Sequence, residues 1–303
     1  MKETTNWKIS RRTFLLSSVA VATFPHCLSA KSGEGGKPVL RFGIVTDPHY
    51  ADVPDKDSRC YRKSTEKMQE CVELMNEQKV DFLIELGDFK DQGSPVSETS
   101  TLKFLDDIES VFSKFKGFRY HVLGNHDTDS ISKSQFLAHV NNTGISKESS
   151  YYSFDMKSVH CVVLDANFKS DGIAYNHGNF NWKDANIPQK EVEWLKRDLA
   201  SSKLPVLCFI HQELNGGGNH VNNAEQVRKI LAENGRALAV FQGHHHEGAY
   251  AFSENIHYYT LKCMVDGKKV EESAYAIVDV FNDGRMSVTG YWRATTKEMK
   301  RKL

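Results

Sequence analysis

Side chains that commonly bind metal ions occur in five short motifs along the chain. In chain order these are Asp47-Pro48-His49, Gly87-Asp88, Gly124-Asn125-His126-Asp127, His211 and Gly243-His244-His245-His246. Their carboxylate, amide and imidazole groups are hard to borderline ligands, which suit Mn, Fe, Zn, Co or Ni better than Ca. Because no thiolate belongs to these motifs, a structural zinc cluster is not expected. One such motif arises easily by chance, whereas five in one chain indicate a common site.

Short apolar runs precede these motifs and predict buried strands. The runs are rich in branched or aromatic side chains and occupy residues 39–45, 82–86, 119–123, 159–164, 204–210 and 237–241. Segments with helical periodicity lie between them, at residues 65–77, 102–115, 188–199 and 221–233. Alternating strands and helices predict an α/β fold, in which ligands bind at the carboxyl ends of the strands. We therefore expect the motifs to meet at one edge of a sheet.

The C-terminal part of the chain has a different pattern. Residues 256–260, 274–280 and 286–292 predict further strands, and Asn282-Asp283-Gly284 is typical of a hairpin turn between the last two. This part is therefore expected to add antiparallel strands. The basic run at residues 297–302 predicts a solvated, frayed tail.

Length and charge limit the functions that need to be considered. The 303 residues suffice for one large domain, and no second linker or internal repeat follows Pro38, so residues 38–303 are predicted to form a single domain. Lys+Arg and Asp+Glu both number 39, which gives a formal net charge of zero. Without a global basic field, neither a nucleic acid polymer nor an anionic membrane is an expected partner.

The N-terminal residues predict an export signal. Ser10-Arg11-Arg12-Thr13-Phe14-Leu15 carries paired arginines, and a short apolar stretch follows. This order is typical of a signal peptide for the twin-arginine export machinery, here residues 1–30, followed by a Gly-rich linker at 31–37. The protein is then expected to be periplasmic or extracellular, without a stable membrane span. The alternatives are a chance arginine pair before a buried helix and lipidation at Cys27.

The five motifs, in this order, resemble those of the calcineurin-like metallophosphoesterase family. The resemblance covers nearly all of residues 40–292 and includes Phe89-Lys90-Asp91 after the Gly-Asp motif. It implies a layered α/β/β/α sandwich of mixed sheets and a hydrolase of phosphate esters that binds two divalent metal ions, Mn, Fe or Zn. The fourth motif departs from the family because Gln212, rather than proline, follows His211, which leaves the shape of that loop open.

The resemblance also implies roles for individual residues. The two implied sets of metal ligands share Asp88: they are Asp47, His49, Asp88 and His246 for one ion, and Asp88, Asn125, His211 and His244 for the other. A shared carboxylate lowers the repulsion between two cations, which together activate a water for attack on phosphorus. His126 is implied as the general acid or a phosphate contact, oriented by Asp91.

Two other motif residues have different expected roles. Asp127 is predicted to cap its own loop rather than to bind metal. In an extended segment the side chain of His245 points away from those of His244 and His246. We therefore expect His245 to have a structural role or to lie at the rim of the substrate site.

The substrate is expected to be small and phosphorylated. Within the family, Cys60-Tyr61-Arg62, Val163-Leu164-Asp165-Ala166 and Gly248-Ala249-Tyr250 look most similar to the manganese-dependent ADP-ribose/CDP-alcohol diphosphatase branch. A phosphodiester or a nucleotide-derived diphosphate is therefore expected. The alternatives are a broad phosphomonoesterase and a non-catalytic binding module that retains the fold.

Candidate substrate contacts lie outside the metal motifs. Arg59 or Arg62 is expected to bind phosphate through a guanidinium fork, although both fit a solvated basic loop equally well. The long segment 167–186 is a candidate specificity loop. Its aromatic side chains fit either stacking on a base or sugar, or the cover of a minor core: Phe168, Tyr175, Phe180 and Trp182. The Gly-rich residues 215–223 are expected to flex over the site.

Overall fold

Two six-stranded sheets form the centre of the computed structural model, which describes residues 36–215 and 220–300. The strands are β1 (Leu40–Val45), β2 (Phe82–Glu85), β3 (Phe118–His121), β4 (Tyr152–Met156), β5 (Val159–Val163), β6 (Val206–Phe209), β7 (Ala237–Gln242), β8 (Ala249–Ser253), β9 (Ile256–Thr260), β10 (Ala274–Val280), β11 (Met286–Trp292) and β12 (Lys297–Met299). The helices are α1 (Ser64–Glu77), α2 (Glu98–Phe112), α3 (Lys133–His139), α4 (Gln189–Ser201) and α5 (Ala224–Asn234).

From Lys37 onward the chain forms one compact unit. The predicted signal peptide at residues 1–30 lies outside the described residues, as does the predicted linker at 31–37 except for its last two residues. None of the helices in the described part of the chain has the length and hydropathy needed to cross a bilayer.

Each sheet contains both parallel and antiparallel neighbours. The strand orders are β12-β11-β10-β1-β2-β3 and β4-β5-β6-β7-β9-β8. The strands β1, β2 and β3 run parallel, as do β5, β6, β7 and β9, and the other neighbours pair antiparallel. The predicted hairpin joins β10 to β11, with Gly284 in the turn at φ +80°. The mixed sheets confirm the expected fold class.

Four phenylalanine rings meet in the largely aliphatic core between the sheets. Phe42 on β1 stacks on Phe82 on β2 at 4.8 Å between ring centroids, and it meets Phe209 and Phe241 of the second sheet edge-on at 5.7 and 5.5 Å. All four rings are fully buried. Such edge-to-face contacts add to the free energy gained by burying the rings, so they hold the two sheets face to face.

Helices cover the outer face of each sheet, which completes four layers. Val45 and Leu83 pack against apolar residues of α1, α2 and α3, whereas Val162 and Cys208 pack against residues of α4 and α5. Strands covered on both faces need apolar residues at nearly every position, which explains the continuous apolar runs in the sequence.

Four elements were not predicted: α3, β4, β8 and β12. The short α3 is defined by a capping box between Ser132 and Gln135 rather than by a long apolar face. The prediction of a frayed tail at residues 297–302 is wrong for its first half, because β12 pairs with β11 and the Met299 side chain is buried opposite Met286. The edge strand thus combines one buried methionine with the half-buried Lys297 and the exposed Glu298.

Candidate metal centre

The five motifs meet in space, and they come from both sheets. Asp47 and His49 follow β1, Asp88 follows β2 and Asn125 follows β3 in the first sheet. The residues that follow strands β6 and β7 of the second sheet are His211, His244 and His246. The expectation that one edge of a single sheet carries the site is therefore corrected, because β6 and β7 belong to the opposite layer. The site spans the ends of both sheets.

The ligand atoms fall into two groups that face each other. One ligand atom from each of Asp47, His49 and His246 lies within 4.8 Å of the others, and the same holds for Asp88, His211 and His244. The Oδ2 atom of Asp88 links the groups, because it lies 3.5 Å from His49 Nε2 and 3.2 Å from His211 Nε2. The carboxylate of Asp88 thus lies between the two groups.

Several of these atoms are buried and have no hydrogen-bond partner among the described residues: Asp47 Oδ1, Asn125 Oδ1 and His211 Nε2. In Asp47 and His211 the opposite atom of the side chain is hydrogen-bonded. Thr46 Oγ1 donates to Asp47 Oδ2 at 2.6 Å, and His211 Nδ1 donates to the carbonyl oxygen of Leu86 at 2.9 Å. Buried polar atoms normally have partners, so unpaired oxygen and nitrogen atoms that converge on one place fit divalent metal ions.

The charges of the cluster attract cations. Burial alone would raise the pKa of Asp88, but the imidazoles of His211 and His126 lower it well below its usual range. The carboxylates of Asp88 and Asp47 outweigh burial at His211 and raise its pKa to about 10. Burial and the neighbouring His211 lower the pKa of His244 to about 4. Without metal, Asp88 is therefore ionised, His244 neutral and His211 protonated at pH 7, so metal binding would release the proton of His211.

The backbone at the site is held in unusual conformations. The φ angles of Asp47, His49, Asp88 and His244 are 51°, 44°, 56° and 67°, in the left-handed region that residues with a Cβ rarely adopt. Conformations of this kind cluster at functional sites because the surrounding structure enforces them. Here they direct side chains from turns that are distant in sequence toward the same site.

The glycines of the motifs serve two purposes. Gly87 has a φ of +102° and makes a sharp turn after β2. Gly124 and Gly243 have ordinary φ angles but are approached closely by other groups. A Cβ on Gly124 would lie 2.1 Å from the Asp88 backbone nitrogen, and one on Gly243 would lie 2.1 Å from Thr46 Oγ1. At these two positions glycine therefore provides space rather than a turn.

Asp127 caps the loop that carries Asp88. Its carboxylate accepts hydrogen bonds from the backbone nitrogens of Asp88, Phe89 and Gly124 at 3.0, 2.9 and 2.8 Å. The side chain is fully buried. This confirms the prediction that Asp127 has a structural role, and it explains how two motifs distant in sequence keep a fixed relation.

Asp91 contacts two imidazoles, of which only one was predicted. Its Oδ1 lies 3.4 Å from His126 Nδ1, as expected, and its Oδ2 lies 3.3 Å from His49 Nδ1. The buried ammonium of Lys90 donates to the carbonyl oxygen of His126 at 2.6 Å and also pairs with Asp129. Lys90 and Asp129 had no recognisable signal in the sequence, because neither is a ligand and their contact depends on the turn at His126.

A cavity of about 290 Å³ opens over the site and is lined by Arg59, Asp88, Asn125, His126, Trp182, His244 and His246. Arg59 lies 3.9 Å from Asp91 Oδ2. The expectation for Arg62 is corrected, because its guanidinium pairs with Asp52 at the surface and does not line the cavity. His245 does not line it either, and its Nδ1 lies 3.6 Å from Glu213 Oε2.

The aromatic residues of the 167–186 segment divide between the two expected roles. Tyr175 is fully buried, and its hydroxyl donates to the carbonyl oxygen of Asn181 at 2.7 Å, so it belongs to a core. Phe180 packs against the His126 ring with 5.4 Å between centroids. Trp182 is 44% exposed and lines the cavity. One segment thus supplies both a structural anchor and an exposed aromatic surface.

Hydrogen bonds shape the loop after His211. Gln212 Nε2 donates to Asn167 Oδ1 at 2.7 Å, and Glu213 Oε1 accepts from Thr260 Oγ1 at 2.7 Å. The backbone nitrogen of Leu214 donates to Gln242 Oε1 at 2.7 Å. These contacts fix the loop up to Leu214. Of the segment 215–223, predicted to flex over the site, residues 216–219 lie outside the described residues.

The fold and the site together define a class of metal-dependent phosphoester hydrolase. The family model of the calcineurin-like phosphoesterases matches residues 40–248, and the chain belongs to this family. The resemblance inferred from the motifs is thereby confirmed.

Two plant proteins named manganese-dependent ADP-ribose/CDP-alcohol diphosphatase are similar over most of the chain. The protein of Oryza sativa subsp. japonica is 24% identical over 294 residues, which cover 82% of this chain and 90% of the relative. The protein of Arabidopsis thaliana is 24% identical over 301 residues, which cover 84% and 94%.

Solved structures share the fold. A dimetal phosphatase from Danio rerio superposes with a TM-score of 0.77 at 20% identity and covers 88% of this chain and 100% of that structure. A purple acid phosphatase from yellow lupin gives a TM-score of 0.59 at 11% identity, with 87% and 53% covered. At these identities the structures show the fold alone.

Proposed function

We propose that this protein uses two divalent metal ions to hydrolyse the phosphoanhydride bond of a small, nucleotide-derived diphosphate of the ADP-ribose or CDP-alcohol kind. The observation that supports two ions rather than one is the position of Asp88. Its Oδ2 faces an imidazole of each ligand group, so one carboxylate serves both groups. Manganese is the proposed metal because the plant relatives are named as manganese-dependent.

When bound, two such ions supply Lewis acidity toward the phosphoryl oxygens and a water that loses its proton near neutral pH. The protein contributes the groups around them. His126 lines the cavity and turns its Nδ1 toward Asp91, which leaves Nε2 to donate a proton to the leaving oxygen. Arg59 at the cavity wall would pair with a phosphate oxygen that is not bound to the metal ions.

The proposed substrate class is supported by the cavity as well as by the relatives' names. A diphosphate has a second phosphate that needs a positive partner, and Arg59 lies beside the ligand cluster. The indole of Trp182 is partly exposed in the same cavity and offers a flat surface to a base or sugar. A simple phosphomonoester has no base or sugar to contact Trp182. A phosphomonoesterase therefore explains less of the cavity and is the second candidate.

The test is to identify the products of a panel of substrates. The full protein, loaded with Mn²⁺, is incubated with ADP-ribose, CDP-choline, AMP and a chromogenic monoester, and the products are assigned by mass spectrometry. We expect AMP and ribose 5-phosphate from ADP-ribose, faster than phosphate release from AMP. Preferred cleavage of the monoesters would support the second candidate. No hydrolysis of any member, with metal bound, would identify a binding module.

We also propose that the protein is exported by the twin-arginine route. The proposal rests on the paired Arg11 and Arg12 and the apolar residues that follow them. Fusion of residues 1–37 to a reporter should place the reporter outside the cytoplasm, and replacement of both arginines by lysine should retain it inside. Export that is unaffected by this replacement would contradict the route.

A further inference from the structure

A fully buried lysine on α1 is surrounded by backbone carbonyl groups. The Lys67 Nζ atom lies 2.9, 3.2, 2.6 and 2.8 Å from the carbonyl oxygens of Met264, Val265, Asp266 and Gly267. Four successive carbonyls of one segment, here called the 263–267 loop, therefore converge on one ammonium group. Burial of a charge is costly unless hydrogen bonds compensate it, and carbonyl dipoles that point at one another repel. The carbonyl groups therefore stabilise the buried ammonium, and the ammonium reduces the repulsion between the carbonyl groups.

The 263–267 loop is bound directly to the backbone that carries metal ligands. Val265 N donates to the carbonyl oxygen of Asp47 at 3.1 Å, and Cys263 N donates to that of His246 at 3.1 Å. Met264 N donates to the carbonyl oxygen of Thr46, the residue before Asp47, at 3.0 Å. One ligand from each sheet is thus attached to the same loop.

The loop also holds the segment that carries Arg59. Cys60 N donates to the carbonyl oxygen of Val265 at 3.1 Å, and Gly267 N donates to that of Ser58 at 2.9 Å. The hydroxyl of Ser58 donates to Asp266 Oδ1 at 2.8 Å. The residues on both sides of Arg59 are therefore fixed by the loop, so the place of its guanidinium in the cavity depends on the shape of the loop.

We propose that Lys67 is a positioning residue of the site: its ammonium gathers the carbonyls of the 263–267 loop, which fixes Asp47, His246 and Arg59 relative to one another. This inference rests on the proposed function. Burial lowers the pKa of Lys67 to about 8, so the group is still charged at pH 7. Lys63, just before the same helix, provides a matched control because it is exposed and, among the described residues, forms a salt bridge only with Glu66.

The test compares Lys67→Met with Lys63→Met. In Lys67→Met we expect Mn²⁺ affinity, measured by calorimetry without substrate, to fall by about 10- to 100-fold, as is typical when groups that orient metal ligands are removed. At saturating Mn²⁺, KM for ADP-ribose should rise through the displacement of Arg59. Lys63→Met should match the wild type in both. A lower melting temperature in Lys67→Met with unchanged Mn²⁺ affinity and KM would overturn the proposal.

A second test supplies the missing cation. Lys67→Ala removes the side chain and leaves room for a small ammonium ion, so methylammonium should gather the four carbonyls again and restore Mn²⁺ affinity and KM with increasing concentration. Tetramethylammonium, which has no N–H group, should not. Equal effects of both salts, or none of either, would contradict positioning by the ammonium. If neither Lys67 variant folds, Ser58→Ala decides, because it loosens the same loop without removing a charge: an unchanged KM would then reject the proposal.

The two proposals fail in distinguishable ways. If the wild type cleaves neither ADP-ribose nor CDP-choline, the proposed function is wrong, while Mn²⁺ affinity and the binding of AMP still report whether Lys67 positions the site. If the wild type is active and Lys67→Met matches it in every readout, only the role of Lys67 is wrong.

Discussion

Two buried clusters of imidazole and carboxylate groups lie close to the end of β2, and they use the same residue types in different ways. In the cluster around Asp88, the ligand atoms form two groups that face each other, and a cavity opens above. In the other, His121 lies between two carboxylates, with Nδ1 3.7 Å from Glu85 Oε2 and Nε2 3.2 Å from Glu109 Oε2. Its two nitrogens face opposite partners, and no point is shared by all three.

The comparison shows that residue type alone does not make a metal centre. The His121 cluster comes from regular elements, β2, β3 and α2, and Phe89 and Phe112 enclose the ring at 4.8 Å each. The Asp88 cluster comes from the turns that follow strands, where left-handed backbone conformations aim side chains at one place. The His121 cluster is arranged to bind a proton, whereas the Asp88 cluster is arranged to bind metal ions.

The largest expected effect is at Asp88. Because its carboxylate faces both ligand groups, Asp88→Asn should lose at least one equivalent of metal and slow turnover on the order of 100-fold or more. Metal content is measured by elemental analysis and turnover with ADP-ribose. Glu109→Gln is the matched control from the His121 cluster and should retain metal and activity. Full activity and metal content in Asp88→Asn would remove the distinction between the clusters.

A smaller effect is expected at the cavity wall, which the His121 cluster lacks. Arg59→Ala should raise KM for a diphosphate by roughly tenfold, since a charge-assisted hydrogen bond is lost, with little change in metal content. Arg62→Ala should have no effect, because Arg62 pairs with Asp52 at the surface. Steady-state kinetics decide the matter, and equal effects of the two substitutions would reject the role of Arg59.

The smallest effect on function, but a distinct one on stability, is expected at His121. Burial alone would lower its pKa, but Glu109 and Glu85 raise it from 6.5 to about 9. The folded protein therefore holds a proton that the unfolded chain releases, so this stabilisation is complete below about pH 6.5 and is lost as the pH rises through 9. The free energy of unfolding should fall by about 2–3 kcal/mol over that range.

Urea unfolding of the metal-free protein at several pH values measures this loss. His121→Gln should unfold with a weaker pH dependence than the wild type and should bind Mn²⁺ normally. Parallel stability curves for the two proteins would show that His121 does not hold the proton.

The sequence predicts the central strands and the metal ligands for a physical reason. Strands buried on both faces need continuous apolar runs, and polar residues just after such runs must leave the core together. Edge strands need no continuous apolar run, so this pattern does not reveal them. The side chains of β8 are exposed or only partly buried, so its pattern resembles that of a loop.

Other parts of the site depend on contacts that only the fold creates. Arg59 and Arg62 belong to one short segment, yet one lines the cavity and the other pairs at the surface. The contact of Asp91 with His49 joins two motifs across neighbouring strand ends. The assignment of β6 and β7 to a second sheet follows from pairing between strands, which no local pattern records.

The left-handed ligand residues have a consequence for how this protein can change over generations. Asp47, His49, Asp88 and His244 each hold a conformation that costs a residue with a Cβ roughly 1–2 kcal/mol. Glycine at any of these positions would relieve the backbone strain and remove a ligand, so an inactive variant can be more stable than the parent protein. In a lineage without selection for turnover, the melting temperature would then rise as glycine replaces these ligand residues, and the fold would persist after the activity is lost.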